Sequence, residues 1–172
     1  MSPAGSSVRR LAWVLLLLLG IVSLLHAVAA ANSVPATRVD EDSFPITANA
    51  LKPGRCSAIS LTTLITGSGT FDGTGGNDLI LGSAGADTIR GRAGADCILA
   101  GDGHDAVQGN QGADILLGGD GNDALDGGQS NDELYGQGGD DSLSGAPGTD
   151  LCDGGPGIDT ADGTCETSVG VP

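Results

Sequence analysis

The chain has 172 residues, enough for one domain or two, with 31 glycines and four aromatic side chains, Trp13, Phe44, Phe71 and Tyr135. So few large side chains exclude a broad globular core at ordinary packing density. The 22 acidic residues, 19 of them aspartate, outweigh 7 basic ones to give −15, which disfavours nucleic acid and anionic membranes as partners and favours cations.

Arg9 and Arg10 precede an apolar run from Leu11 to Leu25, and Ala27-Val28-Ala29 and Ala29-Ala30-Ala31 both fit a small-x-small cleavage pattern. A basic stretch, an apolar stretch and a cleavage site predict a signal peptide over residues 1–31, and so a secreted or cell-surface protein. The alternative is an uncleaved anchor, since the 21 residues Leu11–Ala31 could span a bilayer, though His26 interrupts them. Losing Arg9 and Arg10 would take the charge from −15 to −17 and leave Cys56, Cys97, Cys152 and Cys165 in place. An even cysteine count in an exported chain predicts disulfides, and no C-x-x-C pair argues for zinc. Residues 32–55, with Pro35, Pro45, Pro53 and the Asp40-Glu41-Asp42 run, read as a flexible linker. Residues 56–72 read as an N-terminal cover or cap, and Ala58–Ile65 within them is rich in β-formers and predicts a strand.

From Gly73 to Asp162 the sequence divides without insertion into ten nine-residue units, beginning GTGGNDLIL, GSAGADTIR, GRAGADCIL. Glycine holds position 1 except at Ala100 and position 4 except at Ser130. Position 6 is aspartate in every unit: Asp78, Asp87, Asp96, Asp105, Asp114, Asp123, Asp132, Asp141, Asp150 and Asp159. Position 8 is apolar throughout, from Ile80 to Ala161. The glycines allow tight turns over the first six positions, and positions 7–9 predict a very short strand with only position 8 pointing inward. Two units then complete one 18-residue coil, and odd and even units stack into two parallel sheets enclosing a core one side chain wide. Residues 163–172 form a C-terminal cap or tail.

The units resemble the GGxGxDxUx nonapeptide of RTX, or hemolysin-type, calcium-binding proteins. That resemblance implies an all-β fold, a right-handed parallel β-roll of about five coils, with Ca2+ between stacked turns. It implies ligands from the ten position-6 carboxylates, completed by backbone carbonyls, an oxygen-only set that suits a hard cation. Carried onto this chain, Asp78–Asp96, Asp96–Asp114, Asp114–Asp132 and Asp132–Asp150 pair along one edge. Asp87–Asp105, Asp105–Asp123, Asp123–Asp141 and Asp141–Asp159 pair along the other. Rows of carboxylates about 5 Å apart would repel in a compact state unless a cation neutralised them, and glycine-rich acidic chains stay unfolded without such help. Folding on calcium binding is therefore expected. The departure is that typical members exported in one step lack cysteines and carry a C-terminal secretion signal, so the closer resemblance is to a stand-alone exported form.

Outward positions 7 and 9 distinguish the two sheets. Even units present small polar residues such as Thr88, Ala106, Ala124, Ser142 and Thr160, whereas odd units present Leu79, Cys97, Ile115 and Leu151, then Leu81, Leu99, Leu117 and Tyr135. Such an apolar stripe needs cover. Either residues 56–72 pack over it through a Cys56–Cys97 disulfide, or it is a cell-surface, protein-partner or dimer interface. Cys97 and Cys152 lie three coils apart, roughly 14 Å, beyond the ~7 Å reach of a bridge. The three residues from Asp162 to Cys165 span about 10 Å at most, too short for Cys165 to reach Cys97. Cys56–Cys97 and Cys152–Cys165 are the expected pairs. No H-E-x-x-H, G-x-S-x-G or P-loop occurs, so neither an enzyme nor a small-molecule substrate is expected. His104 reads as incidental. The expected role is a structural or surface-interaction module; the alternative, an ice- or crystal-binding roll, would use the even face.

Overall fold

The computed structural model describes residues 48–171. The expected signal peptide and the linker as far as residue 47 lie outside them. Residues 48–55, read from the sequence as flexible, instead form a helical turn α1 (Ala48–Leu51) and enter a 3-10 turn (Gly54–Ala58). The strands then follow as β1 (Thr63–Thr66), β2 (Thr70–Asp72), β3 (Asp78–Ser83), β4 (Thr88–Ala93), β5 (Cys97–Asp102), β6 (Ala106–Gln111), β7 (Ile115–Asp120), β8 (Ala124–Gln129), β9 (Glu133–Gly138), β10 (Ser142–Ser144), β11 (Asp150–Asp153), β12 (Thr160–Ala161) and β13 (Cys165–Val169).

The odd strands form one sheet and the even strands the other, each in sequence order and parallel throughout. The register is 18 residues, as in Leu79↔Cys97↔Ile115 and Thr88↔Ala106↔Ala124. This is the expected β-roll, but with about six turns instead of five, because β1, β2 and β13 lie outside the ten units. Phe71 and Ile65 pack on one end of the core, and Ala161 and Cys165 on the other.

The strands are also longer than positions 7–9. From β4 to β9 each runs six residues, into position 3 of the next unit. The cause is the coil register, which pairs position 2 with position 2 and position 3 with position 3, as in Gly101↔Gly119 and Asp102↔Asp120. Inward-facing residues are therefore positions 6, 8 and 1, not position 8 alone. Position 8 supplies the apolar column from Ile80 to Cys152, and Ala100 at position 1 joins it, fully buried.

A second apolar cluster forms on the outer face of the odd sheet. Ala48, Cys56, Ile59 and Leu61 pack against Leu79, Cys97, Ile115, Leu117 and Tyr135. The Asn49 amide holds this layer in place, donating to the Leu61 carbonyl (2.6 Å) and accepting from its N–H (2.8 Å). Lys52 Nζ donates to the carbonyls of Ser57 (2.9 Å) and Ile59 (2.6 Å). The Arg55 guanidinium lies 3.8 Å from the Tyr135 ring centre, a cation–π contact over the far end of the stripe. The strand expected over Ala58–Ile65 is shorter and shifted, to Thr63–Thr66, and it extends the odd sheet beside β3. Ile59 keeps extended backbone, but neither it nor Leu61 belongs to the paired strand, and both side chains pack in the cover.

Both disulfides have the expected pairing, with Cα–Cα separations of 6.0 Å for Cys56–Cys97 and 5.9 Å for Cys152–Cys165. The first fastens the cover to β5, and the second fastens β13 to β11.

Candidate metal centre

Each position-6 aspartate stands where a glycine-rich turn enters a strand, with its side chain inside the coil. All ten are at most 3% exposed. In all but Asp78, one carboxylate oxygen is tied to the previous coil. Asp96 Oδ1 accepts the Asp78 N–H at 2.8 Å, and Asp114, Asp132 and Asp150 repeat the contact along the odd edge at 2.7–2.8 Å. Asp105, Asp123, Asp141 and Asp159 do the same along the even edge at 2.8–2.9 Å. Every pair drawn from the sequence is thus brought into succession, joined by one hydrogen bond.

The second oxygen is different. Oδ2 of Asp96, Asp105, Asp114, Asp123, Asp132, Asp141, Asp150 and Asp159 is buried with no hydrogen-bond partner. Buried polar atoms are rarely left so, and two rows of four, one along each edge, point to an absent positive group. Position-1 glycines lie against seven of these oxygens, Asp105 having Ala100 in that place. A Cβ on Gly91 would sit 2.5 Å from Asp96 Oδ2 and 2.8 Å from the Gly109 carbonyl of the next coil. The niche a methyl group would fill therefore brings together a carboxylate and a carbonyl from successive coils. Among the described residues no three His, Cys, Asp or Glu side chains converge, so an ion here would draw its remaining ligands from the backbone. Carboxylate plus carbonyl oxygen fits calcium.

Burial drives the carboxyls toward the neutral form. It pushes Asp96 up to about 8, with the charges of Asp114 and Asp78 adding to the effect and the Asp78 N–H opposing it. Asp132 is raised to about 7, and Asp114 and Asp123 to about 6, again chiefly by burial. Asp105, Asp141 and Asp150 shift upward for the same reason. Without a cation these groups hold protons that water-exposed aspartates would release.

Asp78 and Asp87 depart from the row. Asp78 Oδ2 accepts from the Thr74 N–H (2.6 Å) and hydroxyl (2.9 Å), and Asp87 Oδ2 from the Ser83 N–H (2.7 Å) and hydroxyl (2.9 Å). The odd row also continues past its last aspartate, because the Asp150 N–H donates to Glu166 Oε2 at 2.6 Å. The unit alignment ends at Asp162 and so hides Glu166; its place beside Cys165, bridged to Cys152, was the available clue.

Position 5 carries a second set of rungs running the opposite way. Asn77 Oδ1 accepts the Ala95 N–H, Asn131 that of Thr149, Asn122 that of Asp140, and Asp140 that of Ile158. His104 Nδ1 accepts the Asn122 N–H at 2.8 Å. His104 is thus a rung of the turn stack, not incidental. Ser130, the non-glycine at position 4, takes φ +88° and donates its N–H to the Pro147 carbonyl, leaving Asp132 in its row.

The family model described as RTX calcium-binding nonapeptide repeat (4 copies) matches residues 72–107, 99–134 and 126–161. No curated protein and no solved structure matches the chain.

Proposed function

Because this chain belongs to the RTX calcium-binding nonapeptide-repeat family, whose repeats bind Ca2+, we propose that it is an exported β-roll that completes its fold on taking up calcium, with the eight position-6 aspartates from Asp96 to Asp159 as ligands. The observation that carries this reading is the two rows of four buried, unpartnered carboxylate oxygens. Bound calcium would supply the positive charge that lets these oxygens remain ionised inside the fold. The chain's own groups do the rest. Oδ1 ties each coil to the one before it, the position-1 glycines leave space at Oδ2, and the next coil offers a carbonyl. The two disulfides suit an oxidising, extracellular setting. The role we assign is structural or surface-interacting, not enzymatic.

An ion bound only by the folded state stabilises that state by mass action. Circular dichroism of the disulfide-intact protein should pass from weakly ordered in chelator to β-rich as calcium rises through the ~10⁻⁴–10⁻³ M range of extracellular modules. A spectrum equally β-rich in excess chelator at neutral pH would overturn the coupling.

A further inference from the structure

We propose that Thr74 and Ser83 close the first two cation positions with protein hydroxyl and amide groups, so that the row of calcium sites begins one coil later than the row of aspartates. This deepens the calcium reading above and rests on it.

In Asp78 and Asp87 the oxygen that faces the following coil is already used. Each Oδ2 accepts two hydrogen bonds from the position-2 residue of its own unit, one from the N–H and one from the hydroxyl. The Thr74 hydroxyl also lies 2.9 Å from Asp78 Oδ1, and Asp87 Oδ1 accepts the Gly69 N–H. Neither aspartate is among those with a buried, unpartnered oxygen, whereas each of the other eight is.

The sequence makes the same division. Position 2 reads Thr74 and Ser83 in the first two units, then Arg92, Gly101, Asn110, Gly119, Gly128, Gln137, Ala146 and Gly155. Hydroxyls occur only at the start. The backbone follows suit: those eight later residues all have positive φ, from +62° at Ala146 to +119° at Gly119, whereas Thr74 and Ser83 do not. At Thr74 and Ser83 the ordinary φ turns the position-2 N–H onto the carboxylate; in the later units no such hydrogen bond forms. Two donors on one carboxylate oxygen supply part of what a cation would, without a cation. The pairs Asp78–Asp96 and Asp87–Asp105 are therefore closed, at the end of the roll where Phe71 packs on the core and the Cys56–Cys97 bridge fastens the following coil.

Calcium stoichiometry of the full, disulfide-intact chain, counted by calorimetry and equilibrium dialysis, tests this. Thr74→Gly/Ser83→Gly removes both hydroxyls and permits the later units' backbone; it should bind two ions more than the parent chain. Asp78→Asn/Asp87→Asn, which keeps an acceptor at each place and needs no refolding of the turn, should bind as many ions as the parent. Asp114→Asn should bind fewer. A loss of ions in Asp78→Asn/Asp87→Asn, or no gain in a folded Thr74→Gly/Ser83→Gly, would overturn the closure while leaving the calcium reading intact. Should the glycine variant fail to fold, the asparagine variant decides alone. A parent chain that takes up no calcium would overturn both.

Discussion

Gly75, in the first unit, and Gly103, in the fourth, differ entirely in what they allow. Gly75 has ordinary φ and open space where a Cβ would go; Gly103 has φ +131° and would place a Cβ 2.8 Å from the Gly85 carbonyl carbon of the preceding coil. Gly103→Ala should cost about 1–3 kcal/mol through backbone strain and forced separation of coils, and Gly75→Ala less than about 0.5 kcal/mol. Chemical denaturation in saturating calcium measures both, and equal losses would contradict the coil spacing. The aspartates respond to pH. Their folded values, about 8 for Asp96, about 7 for Asp132 and about 6 for Asp114 and Asp123, lie above the ordinary 3.8. A carboxyl raised by folding stabilises the metal-free roll fully below its unfolded value, and this contribution is lost as pH rises through about 6–8. Metal-free protein should therefore be more β-rich near pH ~4 than near pH ~8 by circular dichroism, with calcium affinity moving the opposite way because binding expels protons. A metal-free spectrum independent of pH would show that these carboxyls do not oppose folding. The aspartate rows were legible in the sequence because one residue type recurs every nine positions. The unlike chemistry of Asp78 and Asp87 left only a trace there, the hydroxyls of Thr74 and Ser83, because what those hydroxyls do depends on the φ of a neighbour four residues away.

At the scale of elements, the cover over the odd sheet was readable from an imbalance: Leu79, Ile115 and Leu117 point outward on one sheet while Ala106, Ala124 and Ser142 point outward on the other. What the imbalance could not supply was the form of the cover. Ala58–Ile65 has strand composition throughout, yet only Thr63–Thr66 finds a partner strand, and Ile59 and Leu61 are taken by apolar contacts instead. β-propensity is settled by neighbours across the sheet, which local composition does not contain. The Cys56–Cys97 bridge closes a loop with a sequence separation of 41, for which chain entropy gives about 4 kcal/mol, against about 3 kcal/mol for the separation of 13 at Cys152–Cys165. Cys56→Ser/Cys97→Ser should therefore lower stability more than Cys152→Ser/Cys165→Ser. It should also raise binding of an apolar dye, since only the first pair holds a layer over the stripe. Dye binding equal in the two variants would place the cover's hold elsewhere, in Asn49 and Lys52.

For the whole molecule, tenfold repetition made the two-sheet architecture legible; a strand near β1 and an earlier start at Phe71 could be read outside the repeat, but β13 could not, because the end coils do not follow the motif. Those ends need different residues for a physical reason: they have a neighbour on one side only. Phe71 and Glu166 fill places that position-8 and position-6 residues fill elsewhere. The 18-residue register has one more consequence, for how such a chain can change length. Nine residues repeat in the sequence, but the two outward faces alternate, so the smallest neutral step is a full coil. Duplicating residues 109–126 should add a coil in phase, keep every downstream residue on its sheet and preserve cooperative unfolding. Duplicating only 109–117 should exchange the sheets downstream. A second Ile115 and Leu117 would then face water on the even side, while Ala124 and Asp126 moved beneath the odd-side layer. The shorter duplication, and not the longer, should self-associate on gel filtration. If both behave alike, the two faces are interchangeable; if they differ, this roll can grow or shrink by gene duplication only in steps of two units, and an odd number of units gained or lost leaves it with an adhesive side.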